Sequence, residues 1–142
     1  MSNNDIYREY KKTQVNTANQ GKLILMLYDG AIKFINRAIE LIPQRKASNI
    51  EEIHNNIVKA QNIIYELTSS LNMEVGEISQ KLFSIYMYIN SKLTLANVNK
   101  DEKPLKEVKR YLIELRGAWE EASKNVSSNV KEVKKGGVNI AT

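Results

Sequence analysis

Apolar residues recur every three or four positions along most of the chain, which is the spacing of an amphipathic α-helix. The repeat is interrupted around Pro43, at residues 72–76 and at residues 97–101 by polar residues, Gly or Pro. Gly and Pro are scarce elsewhere, which favours helix over the long stretches between these breaks. The pattern therefore predicts four helices, and the short connections favour antiparallel packing of consecutive helices.

The first predicted helix begins at Thr17, which has capping-box spacing to Gln20. It ends near Ile42, because Pro43 cannot continue a helix. Two apolar stripes lie side by side on this helix, so we expect it to be buried on more than one side. The stripes are Leu23, Leu27, Ala31, Phe34, Ala38 and Leu41, and Ile24, Tyr28, Ile32, Ile35 and Ile39.

Each of the other three predicted helices carries a single apolar seam with steps of three and four residues, as in bundle helices. The second begins at Ser48 with Glu51 as its capping partner, the third covers about 77–98, and the fourth begins at 101–103. The seams are Ile50, Ile53, Ile57, Ala60, Ile64, Leu67 and Leu71; Ile78, Leu82, Ile85, Ile89, Leu93 and Ala96; and Leu105, Val108, Leu112, Leu115, Trp119 and Ala122. Trp119 is therefore expected to lie largely inside the protein.

The chain of 142 residues has a length typical of one domain. The sequence predicts an all-α fold, an antiparallel four-helix bundle over residues 17–125. A flexible N-terminal segment, 1–16, precedes the bundle. A polar C-terminal tail, 126–142, follows it, and we expect this tail to be frayed or disordered because Gly136 and Gly137 should end any helix.

The charge pattern argues against nucleic acid as a partner. The chain has 21 basic and 16 acidic residues, and the basic residues are interleaved with Glu rather than gathered on one face. No segment approaches the roughly 18 consecutive apolar residues of a membrane span, and residues 1–14 lack the apolar core of a signal peptide. We therefore expect a cytoplasmic protein without stable membrane insertion.

The sequence offers little material for catalysis or metal binding. The single histidine, His54, follows Glu51 at the spacing used in di-iron bundles, but such a site needs a second Glu-x-x-His pair. With one His and no Cys, a nucleophilic triad is also disfavoured. We interpret Glu51 as a capping partner and His54 as a surface residue, and we expect no metal, no cofactor and no enzymatic activity.

Two features have both a packing and a binding interpretation. Gly30 lies in the middle of the first predicted helix, where it indicates either close helix packing or room for the backbone of a partner. The chain has seven Tyr residues, and Tyr86 and Tyr88 cannot both face the core because they are two positions apart. Tyr outside the seams is typical of boundary packing or of an aromatic protein-binding surface.

Three motifs occur together: Tyr7-x-x-Tyr10, Leu27-Tyr28-Asp29-Gly30 and Leu115-Arg116-x-x-Trp119. In combination they resemble the flagellin export chaperones of the FliS family, and the resemblance covers about residues 6–122. It implies a helical bundle without enzymatic activity that binds the C-terminal region of flagellin in the cytoplasm. It also implies that such a protein prevents premature polymerisation and assists delivery to the flagellar type III export gate.

The implied client offers amphipathic helices, which dock by laying an apolar face into a groove. We expect such helices to use outward-facing residues beside the seams. The candidate contacts are Val58, Ile63, Tyr65, Tyr111 and Ile113. A rival hypothesis is a self-associating structural or adaptor bundle without a flagellin client, in which the same apolar residues form a homodimer. A homodimer that exists only while no client is bound is compatible with either hypothesis.

The N-terminal segment carries three large apolar side chains, Ile6, Tyr7 and Tyr10, in an otherwise polar stretch. One helical turn would bring them together, and such a cluster is unfavourable in water. One hypothesis is a cover that occupies the client groove until the client displaces it. The alternative is a permanent clamp that only stabilises the bundle.

Overall fold

The computed structural model describes the backbone of residues 17–141 and the side chains of residues 20–74 and 76–125. Within that part the chain forms four α-helices and no strand, which confirms the predicted all-α four-helix bundle. The helices are α1 (Thr17–Leu41), α2 (Ile50–Ser69), α3 (Glu77–Asn99) and α4 (Glu102–Ala141). The N-terminal cluster of Ile6, Tyr7 and Tyr10 and the capping side chain of Thr17 lie outside the described residues.

Side-chain contacts within residues 27–114 establish the antiparallel order of the first three helices. Moving forward along α1, the contacting residues move backward along α2. Moving forward along α2, the contacting residues move backward along α3. The pairs are Gly30 with Ile63, Phe34 with Lys59 and Arg37 with Glu52, then Gln61 with Thr94 and His54 with Asn97. α2 therefore runs opposite to α1, and α3 runs opposite to α2.

The breaks in the apolar pattern coincide with the ends of the helices. α1 ends one residue before a 3₁₀ turn that contains Pro43. After α2, the side chain of Asn72 accepts a hydrogen bond from the backbone N–H of Glu74 at 3.1 Å. Gly76 then precedes α3 with φ at 108°, a backbone conformation that side chains rarely allow. Turn chemistry readable in the sequence therefore decides where these helices stop.

The capping box predicted at Ser48 is wrong. Ser48 lies inside a 3₁₀ turn, Ala47–Asn49, whereas a capping residue needs extended backbone. α2 begins after Asn49, which makes no side-chain capping bond. α4, by contrast, has such a cap, because the carboxylate of Asp101 accepts a hydrogen bond from the backbone N–H of Lys103 at 3.0 Å.

The core of α1 combines the two predicted stripes into one seam. Its buried apolar residues step by three or four positions: Ile24, Tyr28, Ala31, Ile35, Ala38 and Leu41. The remaining members of both stripes are half-buried on either side of this seam. The expectation of burial on more than one side therefore holds only in part, because full burial is confined to the side that faces the core.

The seam of α2 is confirmed from Ile53 to Leu67, but Ile50 at its start is 52% exposed. In α4, Leu105, Val108 and Leu112 are fully buried. Burial then falls along the helix, so that Trp119 is half-buried. The prediction that Trp119 lies largely inside therefore holds only in part, since a seam position is buried only where other parts of the chain cover it.

The fourth helix continues further than the sequence indicates. Its backbone is helical to Ala141, through Gly136 and Gly137. A Gly inside a helix costs about 1 kcal/mol relative to Ala, which weakens a helix without forbidding it. The expectation that this pair ends any helix is therefore wrong, while the fraying of residues 126–142 in solution stays a prediction. Every helix in the described part of the chain is too short or too polar to cross a bilayer.

A close approach joins the beginning of α1 to the later part of α4. A Cβ atom added at Gly21 would lie 2.5 Å from the Oγ atom and 3.2 Å from the Cβ atom of Ser123. At Gly117, also within α4, an added Cβ atom would meet nothing within 4 Å. An Ala at position 21 would therefore require Ser123 to shift, whereas an Ala at position 117 would meet no neighbour.

Replacement of these two glycines by Ala is expected to have opposite effects on stability. Gly21→Ala should lower the free energy of unfolding by about 1–3 kcal/mol, because the new methyl group overpacks the contact with Ser123. Gly117→Ala should raise it by up to about 1 kcal/mol through helix propensity alone. Urea denaturation measures both values, and adding Ser123→Ala to Gly21→Ala should recover part of the loss. Equal stabilisation by both Ala variants would contradict the close approach.

Candidate client-binding surface

The predicted seam of α3 is confirmed at Ile89, Leu93 and Ala96, which are fully buried, but not in the first half of the helix. Ile78 is 76% exposed and Ile85 is 37% exposed, so the prediction that they belong to the core is wrong. Tyr86 is buried instead, and its hydroxyl forms a hydrogen bond with the hydroxyl of Tyr28 on α1. A buried Tyr needs such a partner, and Tyr86 extends the buried side that Ile89, Leu93 and Ala96 form. Tyr88 is exposed, as the two-residue spacing requires.

Large apolar side chains also lie on the outside of α3. Seven of them are between 37% and 76% exposed, and we call them the α3 apolar surface: Ile78, Phe83, Ile85, Met87, Tyr88, Leu95 and Val98. A surface helix normally has a polar side opposite its buried seam. Exposed apolar patches of this kind mark interaction sites. α3 therefore presents an apolar surface that the described residues leave uncovered.

The α2 side of this surface is held by polar contacts. The side-chain amide of Gln61 donates a hydrogen bond to the hydroxyl of Thr94 at 2.9 Å. Further along, a ring nitrogen of His54 lies 3.0 Å from the side-chain nitrogen of Asn97. Tyr65 lies one helical turn after Gln61 on α2 and is 56% exposed. These contacts fix the spacing between α2 and α3 at the edge of the surface.

The α4 side is held by a cluster around Glu107. The Tyr88 hydroxyl donates a hydrogen bond to Glu107 Oε1 at 2.7 Å, and the Tyr111 hydroxyl donates to the same oxygen at 3.1 Å. Lys92 lies 3.8 Å from the other carboxylate oxygen. The hydrogen bond from Tyr88 lowers the pKa of Glu107, and the same bond raises the pKa of Tyr88. The two aromatic rings, with centroids 6.2 Å apart, thus lie side by side along the groove between α3 and α4.

The structure places only some of the five candidate contacts beside α3. Tyr65 and Val58 lie on the side of α2 that carries Gln61, and Tyr111 lies next to Tyr88. Ile63 instead faces α1 beside Gly30. Ile113, which is 49% exposed, is two positions from Tyr111 and therefore points to another side of α4.

Two positions of the Leu-Tyr-Asp-Gly motif have clear packing roles. Tyr28 is fully buried, and a Cβ atom at Gly30 would lie 3.1 Å from the Cδ1 atom of Ile63. The close-packing interpretation of Gly30 is therefore confirmed, while Leu27 is half-buried and Asp29 is exposed. In the fourth-helix motif, Arg116 pairs with Glu120 at 2.8 Å, and Leu115 and Trp119 are half-buried.

The described residues contain no group of three or more His, Cys, Asp or Glu side chains that could hold a metal ion. His54 and Glu51 are both exposed. The chemistry that this surface offers is therefore the burial of apolar area, with hydrogen-bonding groups at its edges.

Sequence reasoning missed most of the α3 apolar surface, because the periodicity of α3 assigns Ile78 and Ile85 to the core and leaves Phe83, Leu95 and Val98 unassigned. One signal was available in the sequence. α3 has more large apolar residues than one seam can use, including Met87 between Tyr86 and Tyr88. Such an excess indicates either burial all round or an uncovered surface.

Comparison with known proteins finds one matching family and several relatives. The family model described as "Flagellar protein FliS" matches residues 2–126. The chain is 40% identical over 116 residues to the flagellar secretion chaperone FliS of Bacillus subtilis, covering 82% of this chain and 84% of that protein. It is 32% identical over 126 residues to the protein of the same name from Campylobacter jejuni, covering 88% and 96%. For the Escherichia coli protein the identity is 30% over 113 residues, covering 78% and 81%.

Proposed function

This chain belongs to the FliS family of flagellar secretion chaperones, and from that premise we propose that it binds the C-terminal region of flagellin in the cytoplasm. Binding prevents premature polymerisation of flagellin and assists its delivery to the flagellar type III export apparatus, where the export gate is a further partner. The α3 apolar surface carries this proposal, since it is a large apolar area that the described part of the chain leaves exposed.

The chemistry of the surface suits an amphipathic helix from the client. Such a helix lays its apolar face into a hydrophobic groove and leaves its polar face in water. Grooves beside α3 are bordered by Tyr65 and Met87 on one side and by Tyr88 and Tyr111 on the other. Met adapts to guests of different shape, and Tyr combines an apolar ring with a polar tip.

The client is disordered before it binds, and this also explains how the chaperone can later release it. A segment that folds on binding loses conformational entropy, so its affinity per unit of buried area is modest. Contacts at Ile63 and Ile113 are part of the same proposal, and they require the client to extend beyond the two grooves at α3. A glutamate substitution at the exposed Ile113 separates a client confined to the α3 grooves from one that wraps further.

Co-expression with flagellin tests the proposal directly. We expect a soluble complex of fixed stoichiometry by size-exclusion chromatography with light scattering, and loss of that complex when the C-terminal region of flagellin is deleted. Full-length flagellin that elutes separately from this chain would contradict the proposal. Sedimentation of this chain alone, with and without a flagellin C-terminal peptide, tests the rival: a homodimer unaffected by the peptide would favour self-association without a client.

A further inference from the structure

A second concave region lies where the connection between α1 and α2 meets the connection between α3 and α4. It has a volume of about 780 Å³, and its walls come from residues 42–53 and 99–103. None of the residues that define the α3 apolar surface lines this depression. The function proposed above does not use it.

Apolar residues contribute to the lining of the depression, and we call four of them its apolar floor: Ile42, Pro43, Ile50 and Ile53. Ile50 is 52% exposed although it begins the apolar seam of α2. The area is large enough for an apolar side chain from another molecule to replace water over Ile50. Burial of apolar surface there would favour binding.

Cationic side chains surround this floor. Arg45, Lys46 and Lys103 are exposed, and among the described residues they have no carboxylate partner. The two acidic residues of the lining are already engaged. Asp101 accepts the backbone N–H of Lys103 at 3.0 Å, and Glu102 pairs with Lys106 at 3.4 Å. The uncompensated charge of the lining is therefore positive.

Two of the basic residues have an unusual backbone. Arg45 and Lys100 have φ values of 50° and 49°, and in the described chain they are the only residues other than Gly with positive φ. Each follows a helix end, where Gly is the usual residue because it tolerates this conformation. The Lys100 ammonium donates to the backbone carbonyl of Asn97 at 2.6 Å, and burial lowers its pKa. Long cations thus occupy two positions where Gly would be less strained.

We propose that this depression binds an acidic peptide segment of a partner protein, with an apolar side chain over Ile50 and carboxylates beside Arg45, Lys46 and Lys103. Charge complementarity supports this occupant. A nucleic acid fits less well, because its sugar-phosphate backbone carries no apolar side chain to place over Ile50. A membrane surface fits less well because the apolar floor is recessed, whereas a bilayer is flat.

The test uses the full chain and a fluorescein-labelled, end-blocked hexapeptide, Glu-Leu-Glu-Glu-Leu-Glu, in fluorescence anisotropy at low salt. Two matched peptides carry Gln in place of Glu, or Ser in place of Leu. We expect saturable binding of the first peptide that weakens as salt is added, and binding of each matched peptide that is weaker by about fivefold or more.

Variants locate the binding to the depression. The triple variant Arg45→Gln/Lys46→Gln/Lys103→Gln should weaken binding by about tenfold or more, since each exposed charge pair contributes modestly. The control Lys22→Gln/Lys33→Gln/Lys81→Gln has the same change in net charge elsewhere and should bind within about twofold. Arg45→Gly removes one cation while relieving the left-handed backbone, so it tests the charge without risk to the fold. Ile50→Ser should weaken binding of the original peptide, which contains Leu, but not binding of the matched peptide with Ser in place of Leu.

Three results would overturn the proposal. The first is no saturable binding of the acidic peptide, and the second is equal binding by the depression triple variant and its control. The third is stronger competition by inorganic polyphosphate or by phosphatidylglycerol vesicles than by the unlabelled peptide, which would assign the site to another class of anion. None of these measurements includes flagellin, so their failure leaves the proposed chaperone function untouched.

Discussion

Glutamate in place of Met87 is expected to weaken binding of the C-terminal region of flagellin by about 30- to 1,000-fold, which corresponds to about 2–4 kcal/mol. Met87 is 51% exposed on the α3 apolar surface, so the free protein tolerates a charge there. In the complex the new carboxylate would be buried against an apolar helix without a partner, and that desolvation is costly. Isothermal titration calorimetry with a flagellin C-terminal peptide measures the change.

A matched control comes from another exposed methionine. Met26 lies on α1 and is 66% exposed, so Met26→Glu makes the same chemical change on a different helix. We expect Met26→Glu to bind the peptide within about threefold of the parent, and we expect unchanged far-UV circular dichroism for both variants. Equal losses in the two variants, or an unaffected Met87→Glu, would place the client somewhere other than the α3 surface.

The largest effect on stability is expected from truncation in the core of α3. Leu93 is fully buried, and Leu93→Ala should lower the free energy of unfolding by about 2–5 kcal/mol through lost transfer free energy and the cavity that remains. Leu95 lies two positions away and is 45% exposed, so Leu95→Ala should change stability by less than about 1 kcal/mol. Urea denaturation of both variants gives the comparison.

The same two variants distinguish effects on folding from effects on client binding. Leu95→Ala removes apolar area from the α3 surface, so we expect it to weaken flagellin binding while leaving the stability nearly unchanged. Leu93→Ala should bind the client normally under conditions in which it stays folded. If Leu95→Ala were as destabilising as Leu93→Ala, α3 would face the core with a different side from the one described above.

Much of the architecture follows from the sequence alone. The repeat of apolar residues predicts the number and order of the helices, and Pro43, Asn72 and Gly76 mark their limits. These features are local, since a proline or a turn residue acts on its own backbone whatever lies nearby. The seam of α2 is also readable, because most of its large apolar residues lie on one side of the helix.

Only the tertiary structure decided which side of the first half of α3 is buried, since the predicted seam is correct at Ile89, Leu93 and Ala96. Its apolar residues occur around most of the helix, so periodicity fits a core that contains Ile78 and Ile85 as well as one that contains Tyr86. The hydroxyl of Tyr28, 58 positions away in the chain, provides the partner that selects the second arrangement. The candidate binding surface is what this choice leaves outside. A local pattern indicates which residues are apolar. Whether an apolar residue is buried depends on neighbouring helices that are distant in sequence.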